Sequence, residues 1–191
     1  MRRPRQGRQG PAGQVRIIGG CWRGTRLPVV AGEGLRPTPD RVRETLFNWL
    51  GPRVAGARCL DLFAGSGVLG FEALSRGAAG AVLVERDPGA VERLRQGRER
   101  LDAAAEVVHA DALAWLAAAA PPFDIIFLDP PYGGGLLAAS VKLIHRHGLA
   151  APQGRIYMED DSPDFTVPGD WSLIRQGNAG QVHFALAAPS A

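Results

Sequence analysis

A short polar motif follows directly on an apolar run. The motif consists of Asp129, Pro130, Pro131 and Tyr132, and the run is 123–128. The run is typical of a buried parallel strand, and two prolines cannot continue it because they donate no ladder hydrogen bonds. The chain must therefore break at the carboxyl end of the strand, where open α/β sheets bind ligands. A carboxylate, rigid carbonyls and an aromatic ring at this break could bind an exocyclic amine and stack on its flat base. An ordinary strand-end turn is the alternative.

A second motif lies upstream, between a short strand at 57–60 and a helix expected to run to about residue 76. Its glycines, Gly65, Gly67 and Gly70, fit the G-x-G-x-x-G spacing of nucleotide-binding turns. Glycines permit a tight turn and let a ligand approach the backbone. The spacing alone would suit a nicotinamide cofactor equally well.

Acidic residues near this turn favour a different cofactor. Asp61 directly precedes the turn, where a carboxylate would repel a pyrophosphate but attract a cation. S-adenosyl-L-methionine carries a sulfonium and an ammonium and no phosphate. Glu85 ends the next strand, about 20 residues beyond the turn, as a ribose-binding carboxylate should. Asp111 follows a third strand and could bind the adenine amine, or it could cap the helix that begins after it.

With both motifs placed, the chain resembles the class I methyltransferases that act on amino groups with S-adenosyl-L-methionine. More narrowly, it resembles the bacterial 16S rRNA (guanine-966-N(2))-methyltransferase family, RsmD. The segments that carry the resemblance are 16–24, 34–50, both motifs, and 179–182. The resemblance implies an α/β, Rossmann-like fold. Its sheet would have seven mostly parallel strands with an antiparallel last hairpin, preceded by an N-terminal β-hairpin and helix.

The resemblance also implies methylation of the exocyclic amine of a specific guanine in 16S rRNA, with S-adenosyl-L-methionine as the cofactor. The expected catalytic residues are Asp129, Pro130, Pro131 and Tyr132. The expected cofactor-binding residues are Asp61, Phe63, Ala64, Gly65, Gly67, Glu85, Asp111 and Ala112. The expected RNA-binding residues are Arg23, Arg36, Thr38, Arg41 and Arg43.

Other functions share part of this pattern. An N(6)-adenine methyltransferase acting on DNA or RNA is the nearest alternative, because its motif would perform the same chemistry. A nicotinamide-dependent oxidoreductase would share the glycine turn but has no use for the motif that begins at Asp129. A non-catalytic RNA-binding module would need only the basic residues.

Composition and charge favour a globular protein with a polyanionic partner. The chain has 191 residues, of which 46% are hydrophobic, and it has no continuous apolar run of membrane-spanning length. Residues 1–58 hold twelve arginines and three acidic residues, whereas residues 59–191 hold ten basic and sixteen acidic residues. A basic arm on an acidic body suggests RNA bound from one side. The cysteines, Cys21 and Cys59, suit a reducing cytoplasm, and the histidines show no zinc-site spacing.

We therefore expect a disordered basic arm at 1–14 and one methyltransferase domain at 15–191. Within the domain, 15–52 would contact RNA and 53–191 would form the catalytic core. The expected partner is 16S rRNA within a small-subunit particle, bound by a cytoplasmic monomer with no membrane association and no metal.

The pattern of turns and apolar residues predicts the individual elements. A β-hairpin is expected from 15–18 and 25–30, followed by a helix with Thr38 as cap and Pro39 at its first position. The remaining strands are predicted at 57–61, 81–85, 105–109, 123–128, 154–159, 171–176 and 181–187.

Overall fold

The computed structural model describes residues 13–28, 39–118 and 121–190. Its first element is a two-stranded antiparallel hairpin of β1 (Gln14–Arg16) and β2 (Arg26–Pro28). The hairpin confirms the predicted element, although β1 begins at Gln14, the last residue of the predicted disordered arm, and β2 begins one residue later than expected. Residues 29 and 30 of the predicted second strand lie outside the described part of the chain, as do residues 1–12 of the predicted arm.

Helix α1 (Asp40–Leu50) begins one residue later than predicted. Pro39 is extended, with φ −55° and ψ 145°, so it precedes the helix rather than occupying its first position. Its carbonyl accepts hydrogen bonds from the Val42 and Arg43 N–H groups. Thr38, the predicted cap, lies outside the described residues. Val42, Leu46 and Leu50 are buried and form the apolar face of this helix.

A seven-stranded sheet forms the centre of the molecule. Its strands are β3 (Arg58–Asp61), β4 (Gly80–Glu85), β5 (Ala105–His109), β6 (Phe123–Leu128), β7 (Ala150–Asp160), β8 (Trp171–Ala179) and β9 (Val182–Pro189). Their order is β5-β4-β3-β6-β7-β9-β8. The first five strands in this order are parallel, and β9 is antiparallel to both of its neighbours. The predicted fold and the antiparallel last hairpin are therefore confirmed.

Helices cover both faces of the sheet, which explains the nearly continuous apolar sequence of its central strands. The helices after α1 are α2 (Val68–Ser75), α3 (Pro88–Leu101), α4 (Ala112–Leu116) and α5 (Leu136–Arg146). One core lies between the sheet, the hairpin and helices α1 to α3, and the other lies between the sheet and helices α4 and α5. Strand side chains alternate between these cores: Ile125 and Phe127 face the first, and Ile126 and Leu128 face the second.

Strand β7 begins four residues earlier than predicted, at Ala150. Its pairing with β6 shifts register between Phe123 and Ile125, and this irregularity accommodates the turn-like sequence around Pro152. Periodicity could not reveal the extra residues because the pairing is not regular there. The carboxyl end of β7, which borders the site described below, was predicted to within one residue.

A buried carboxylate joins the hairpin and α1 to helix α2. Glu72 accepts hydrogen bonds from the Ile18 N–H at 2.8 Å and from Arg76 Nε at 2.8 Å, and its Oε2 lies 3.4 Å from the guanidinium of Arg43. Glu72 and Arg43 are both fully buried. Asp40 accepts a further hydrogen bond from Arg43 at 2.6 Å. The N-terminal elements are thus fixed to the core by charge as well as by apolar packing.

Candidate active site

The glycine motif forms the predicted turn between β3 and α2. Gly65 and Gly67 have positive φ angles of 51° and 74°, which L side chains rarely adopt. A Cβ at Gly67 would come within 2.7 Å of Phe71, whereas a Cβ at Gly65 would meet no atom closer than 3.9 Å. The backbone at Gly67 is therefore closely packed, whereas the backbone at Gly65 is open and leaves space for a ligand to approach it.

Asp61 ends β3 directly below this turn. It is 2% exposed, and its Oδ2 accepts the Gly70 N–H at 3.0 Å. The pKa of Asp61 is raised to about 7, mainly by burial; the Gly70 hydrogen bond lowers it, and the charges of Asp129 and Glu85 add to the rise. A cation bound beside Asp61 would favour its ionised form. The residue thus fits the sulfonium-bearing and ammonium-bearing cofactor that the sequence predicts.

Glu85 lies at the end of β4, on the other side of the turn. Its Oε2 accepts the Gly65 N–H at 2.8 Å, and its Oε1 accepts the N–H groups of Arg86 and Asp87, each at 2.8 Å. This carboxylate therefore fixes the glycine turn and the start of the next loop together. Its predicted contact with a ribose stays a prediction.

The remaining predicted cofactor residues lie around the same strand ends. Asp111 caps α4, since its Oδ1 accepts the Ala114 N–H at 3.0 Å. The helix-cap alternative from the sequence is thus present in the structure, and an adenine contact stays a prediction. Ala64 and Ala112 are buried, and Phe63 is half-buried against the second core.

The motif that begins at Asp129 follows β6 at the same edge of the sheet. Asp129 is half-buried, Pro130 is buried and the Tyr132 ring is 44% exposed. Burial raises the pKa of Tyr132, and the charges of Asp129 and Glu159 raise it further. The ring therefore remains a neutral phenol beside the carboxylates. An exposed aromatic ring next to a carboxylate provides a platform on which a base can stack.

A cavity of about 110 Å³ lies beside this motif. It is lined by the motif from Pro130 onward, by the start of α5, and by side chains that include Met158, Asp160 and Phe165. Met158 faces the second core, so the cavity opens on the α4–α5 side of the sheet.

Sequence reasoning did not find a buried polar pair at the end of β7. The hydroxyl of Tyr157 donates a hydrogen bond to Glu159 Oε1 at 2.6 Å, and both residues are almost fully buried. Burial and the charge of Glu159 hold the pKa of Tyr157 well above its usual value. The signal that could have revealed the pair is its i, i+2 spacing, which places both side chains on one face of a strand.

The predicted RNA-binding residues do not share one environment. Arg23 and Arg41 are exposed. Arg43 is completely buried in its ion pairs with Asp40 and Glu72, so its expected contact with RNA is wrong. Helical spacing placed Arg43 beside apolar positions, but it did not show that a buried carboxylate on α2 would meet it. Arg36 and Thr38 lie outside the described residues.

The described ranges contain neither a metal site nor a membrane-spanning helix. Among residues 13–28, 39–118 and 121–190, no group of histidine, cysteine, aspartate and glutamate side chains is arranged to hold a metal ion. In the same part of the chain, no helix has the length and apolarity that a membrane span requires.

Comparison with known proteins identifies the family. The family described as conserved hypothetical protein 95 matches residues 15–188. The chain belongs to this family. It is 50% identical over 178 residues to ribosomal RNA small subunit methyltransferase D of Escherichia coli, covering 92% of this chain and 90% of that protein. It is 43% identical over 181 residues to the Haemophilus influenzae protein of the same name, covering 91% and 93%.

A solved structure supports the same relationship. The putative methyltransferase yhhF from Escherichia coli matches with a TM-score of 0.86 and 50% identity, over 94% of this chain and 99% of that chain. The resemblance to the RsmD family and the Rossmann-like methyltransferase fold, both predicted from the sequence, are therefore confirmed. The chain is an RsmD-family methyltransferase of rRNA.

Proposed function

We propose that this protein methylates the exocyclic N(2) amine of one guanine in 16S rRNA. The cofactor is S-adenosyl-L-methionine, which supplies an electrophilic methyl group when bound. The proposal includes a monomeric, cytoplasmic protein whose substrate is a small-subunit ribosomal particle rather than free RNA. The names of the E. coli and H. influenzae relatives support the rRNA substrate.

One observation carries the proposal: the amine-binding motif and the glycine turn meet at one edge of the sheet. Asp61 ends β3, Asp129 directly follows the neighbouring strand β6, and the charge of Asp129 contributes to the raised pKa of buried Asp61. A base held by Asp129 would therefore present its amine to a cofactor held by Asp61 and the Gly65 turn. This proximity supports group transfer between two bound molecules.

The chain's own residues would act mainly by positioning. The amine of guanine is a poor nucleophile because its lone pair is delocalised into the ring. Asp129 and the carbonyl of Pro130 would accept its two hydrogens, which directs the lone pair toward the cofactor. Tyr132 would stack on the base. Asp129 would also be the acceptor for the proton that the amine must lose.

RNA would approach the same edge with its target base unstacked, at a cost of a few kcal/mol that is smallest in a loop. The exposed arginines Arg23 and Arg41 are candidates for phosphate contacts. The sequence also predicts RNA contacts for Arg36 and Thr38, which lie outside the described residues.

The test is mass spectrometry of rRNA from cells that lack the protein. We expect one guanine of 16S rRNA to lose an N(2)-methyl group, and the purified protein with radiolabelled S-adenosyl-L-methionine to restore it on small-subunit particles. A missing N(6)-methyladenine would instead support the adenine alternative. An unchanged methylation pattern would refute the proposal.

A further inference from the structure

The two edges of the central sheet differ in charge. At the carboxyl edge, each of the five parallel strands ends in a carboxylate or is followed by one within two residues. These carboxylates are Asp61, Glu85, Asp111, Asp129 and Asp160. RNA carries a negative charge on each phosphate, so these residues cannot attract it. Any contribution of the catalytic core to RNA affinity must therefore come from another surface.

The amino edge of the same sheet carries arginines. Arg53 is exposed and lies in a short 3₁₀ helix, Gly51–Val54, between α1 and β3. Arg155 lies on β7 and pairs with Ile125, the third residue of β6. Val54 and Ile125 both belong to the first core, so Arg53 and Arg155 lie on the same side of the sheet. Burial lowers the pKa of Arg155, and the charge of Arg53 lowers it further, so the two guanidinium groups are close enough to repel each other.

Arg155 is held in place by backbone carbonyl groups. Its Nη1 donates hydrogen bonds to the carbonyls of Gln153 and Gly154, each at 2.8 Å. A guanidinium has five N–H donors in a planar arrangement, and all the hydrogen bonds that Arg155 makes within the described ranges involve Nη1. The side chain is therefore ordered while its other nitrogens carry further donors, which lowers the entropy cost of binding an anion.

Arg58, the first residue of β3, extends the basic surface to the other side of the sheet. Its Nη1 donates to the carbonyls of Pro121 at 2.6 Å and Pro122 at 3.1 Å. Its guanidinium lies 4.0 Å from the centroid of the Phe123 ring, which belongs to the second core. Arginines thus border the start of β6 on both sides of the sheet.

Carboxylates do not balance these arginines. Among the residues that the structure describes, Arg53, Arg58 and Arg155 form no ion pair. Asp124 lies close to them, because its Oδ2 accepts the backbone N–H of Arg58 at 2.8 Å. The hydrogen bonds of Arg58 and Arg155 also stabilise the adjacent backbone, but this does not explain the nearby charge of Arg53. Like charges held close together favour an anion between them.

We propose that Arg53, Arg58 and Arg155 form a second rRNA-binding surface, which binds phosphate groups of the small-subunit particle at the edge opposite the proposed active site. Guanidinium groups suit this partner because they bind phosphate oxygens in bidentate pairs. The inference rests on the proposed function and adds an RNA contact within 53–191, the segment that the sequence assigned to catalysis.

The length of the sheet determines which RNA can reach both edges. Strand β6 has six residues. At about 3.3 Å per residue, its two ends lie about 20 Å apart. The target base and the phosphates at the amino edge would therefore belong to well-separated nucleotides. A folded particle holds such nucleotides in fixed positions, which agrees with the proposed preference for a particle over free RNA.

The test measures binding and turnover on small-subunit particles purified from cells that lack the protein. Arg53→Gln/Arg155→Gln removes two of the three charges. We expect its KM for particles to rise by about 10-fold or more in about 0.1 M salt, because counterion release supplies much of such affinity. The slope of log affinity against log salt should become shallower by about 0.7–0.9 for each lost phosphate contact. The kcat at saturating particle concentration should stay within about twofold, since the catalytic edge is unchanged.

Arg95→Gln/Arg175→Gln is the matched control, because it removes the same charge from exposed positions on α3 and β8. It should leave both KM and the salt slope unchanged. Arg53→Lys/Arg155→Lys keeps both charges and should retain most of the slope. Arg53→Gln alone provides the test if the loss of the Arg155 hydrogen bonds lowers stability in thermal unfolding, and its slope should change by about half as much.

The possible outcomes separate the inference from the proposed function. Unchanged KM and slope in both glutamine variants, with guanine still methylated by the wild-type protein, would overturn the inference alone. A raised KM with an unchanged salt slope would indicate a contact with a protein of the particle and would also overturn it, as would an equal effect of the control. Failure of the wild-type protein to methylate guanine would instead refute the proposed function.

Discussion

The cofactor side and the substrate side of the sheet edge hold their carboxylates by different means. On the cofactor side, Asp61 and Glu85 accept hydrogen bonds from backbone N–H groups of the glycine turn and the following loop. On the substrate side, Glu159 accepts a hydrogen bond from the side chain of Tyr157. Backbone groups are present whatever the sequence, whereas a side-chain partner can be removed by one substitution. The two sides should therefore respond separately to mutation.

The largest expected effect separates the two sides directly. Asp129→Ala should reduce methyl transfer by about 10²-fold or more, because it removes a preorganised acceptor for the amine. Affinity for S-adenosyl-L-methionine should hold within a few-fold, since the glycine turn is unchanged. A radiolabelled transfer assay and calorimetry measure the two quantities. Wild-type turnover would exclude the proposed role of Asp129, and a parallel loss of cofactor affinity would show that the sides are not independent.

Glu85→Ala should instead act on cofactor affinity. It should weaken binding of S-adenosyl-L-methionine by about 1.5–3 kcal/mol, the usual contribution of a hydrogen bond to a charged group. Part of this loss would arise because the N–H groups of Gly65, Arg86 and Asp87 would no longer have the Glu85 carboxylate as their acceptor. Calorimetry gives the affinity. Because Glu85→Gln keeps the shape of the side chain and some of these bonds, it should lose less. Unchanged affinity in both variants would assign the ribose contact to another residue.

Affinity for S-adenosyl-L-methionine, on the cofactor side, should depend on pH. Burial is the largest of the causes that raise the pKa of Asp61 to about 7, and a bound cation favours the ionised form of this carboxyl. Below that pKa, a proton must leave Asp61 before the cofactor binds. Affinity should therefore fall by up to about 10-fold for each pH unit below 7, with proton release on binding. Calorimetry in buffers of different ionisation enthalpy measures both effects, and Asp61→Asn should remove them. A flat profile for the wild-type protein would show that Asp61 does not bind the cation.

The smallest effect should come from a change remote from both sides. Deleting residues 1–12 removes Arg2, Arg3, Arg5 and Arg8 and leaves β1 intact. Cofactor affinity should hold, while binding to rRNA weakens. The slope of log affinity against log salt should become shallower by up to about 0.7 for each lost phosphate contact. Equal slopes for the full-length and shortened proteins would assign RNA binding to the folded part, where Arg23 and Arg41 are exposed.

The difference between the two sides also explains what the sequence could predict. The glycine turn, the residues at its strand ends and the motif at Asp129 are local patterns, and all lie at one edge of the predicted sheet. The Tyr157–Glu159 pair was not predicted because its importance depends on strand order, which places β7 beside β6. Arg43 was misassigned for a similar reason. Its burial depends on Glu72, a residue 29 positions away on another helix.

The buried carboxylate of Glu72 also bears on whether the N-terminal hairpin and α1 can be removed from the rest of the domain. It receives the Ile18 N–H and the Arg43 guanidinium, which belong to the N-terminal hairpin and to α1. A protein trimmed to begin at β3 would keep Glu72 in α2 and lose both partners. Arg76 would still donate to Glu72 at 2.8 Å, but the apolar residues of the first core that pack against the hairpin and α1 would be exposed to water. The hairpin and α1 are therefore part of the same folding unit as the sheet and not an independent module.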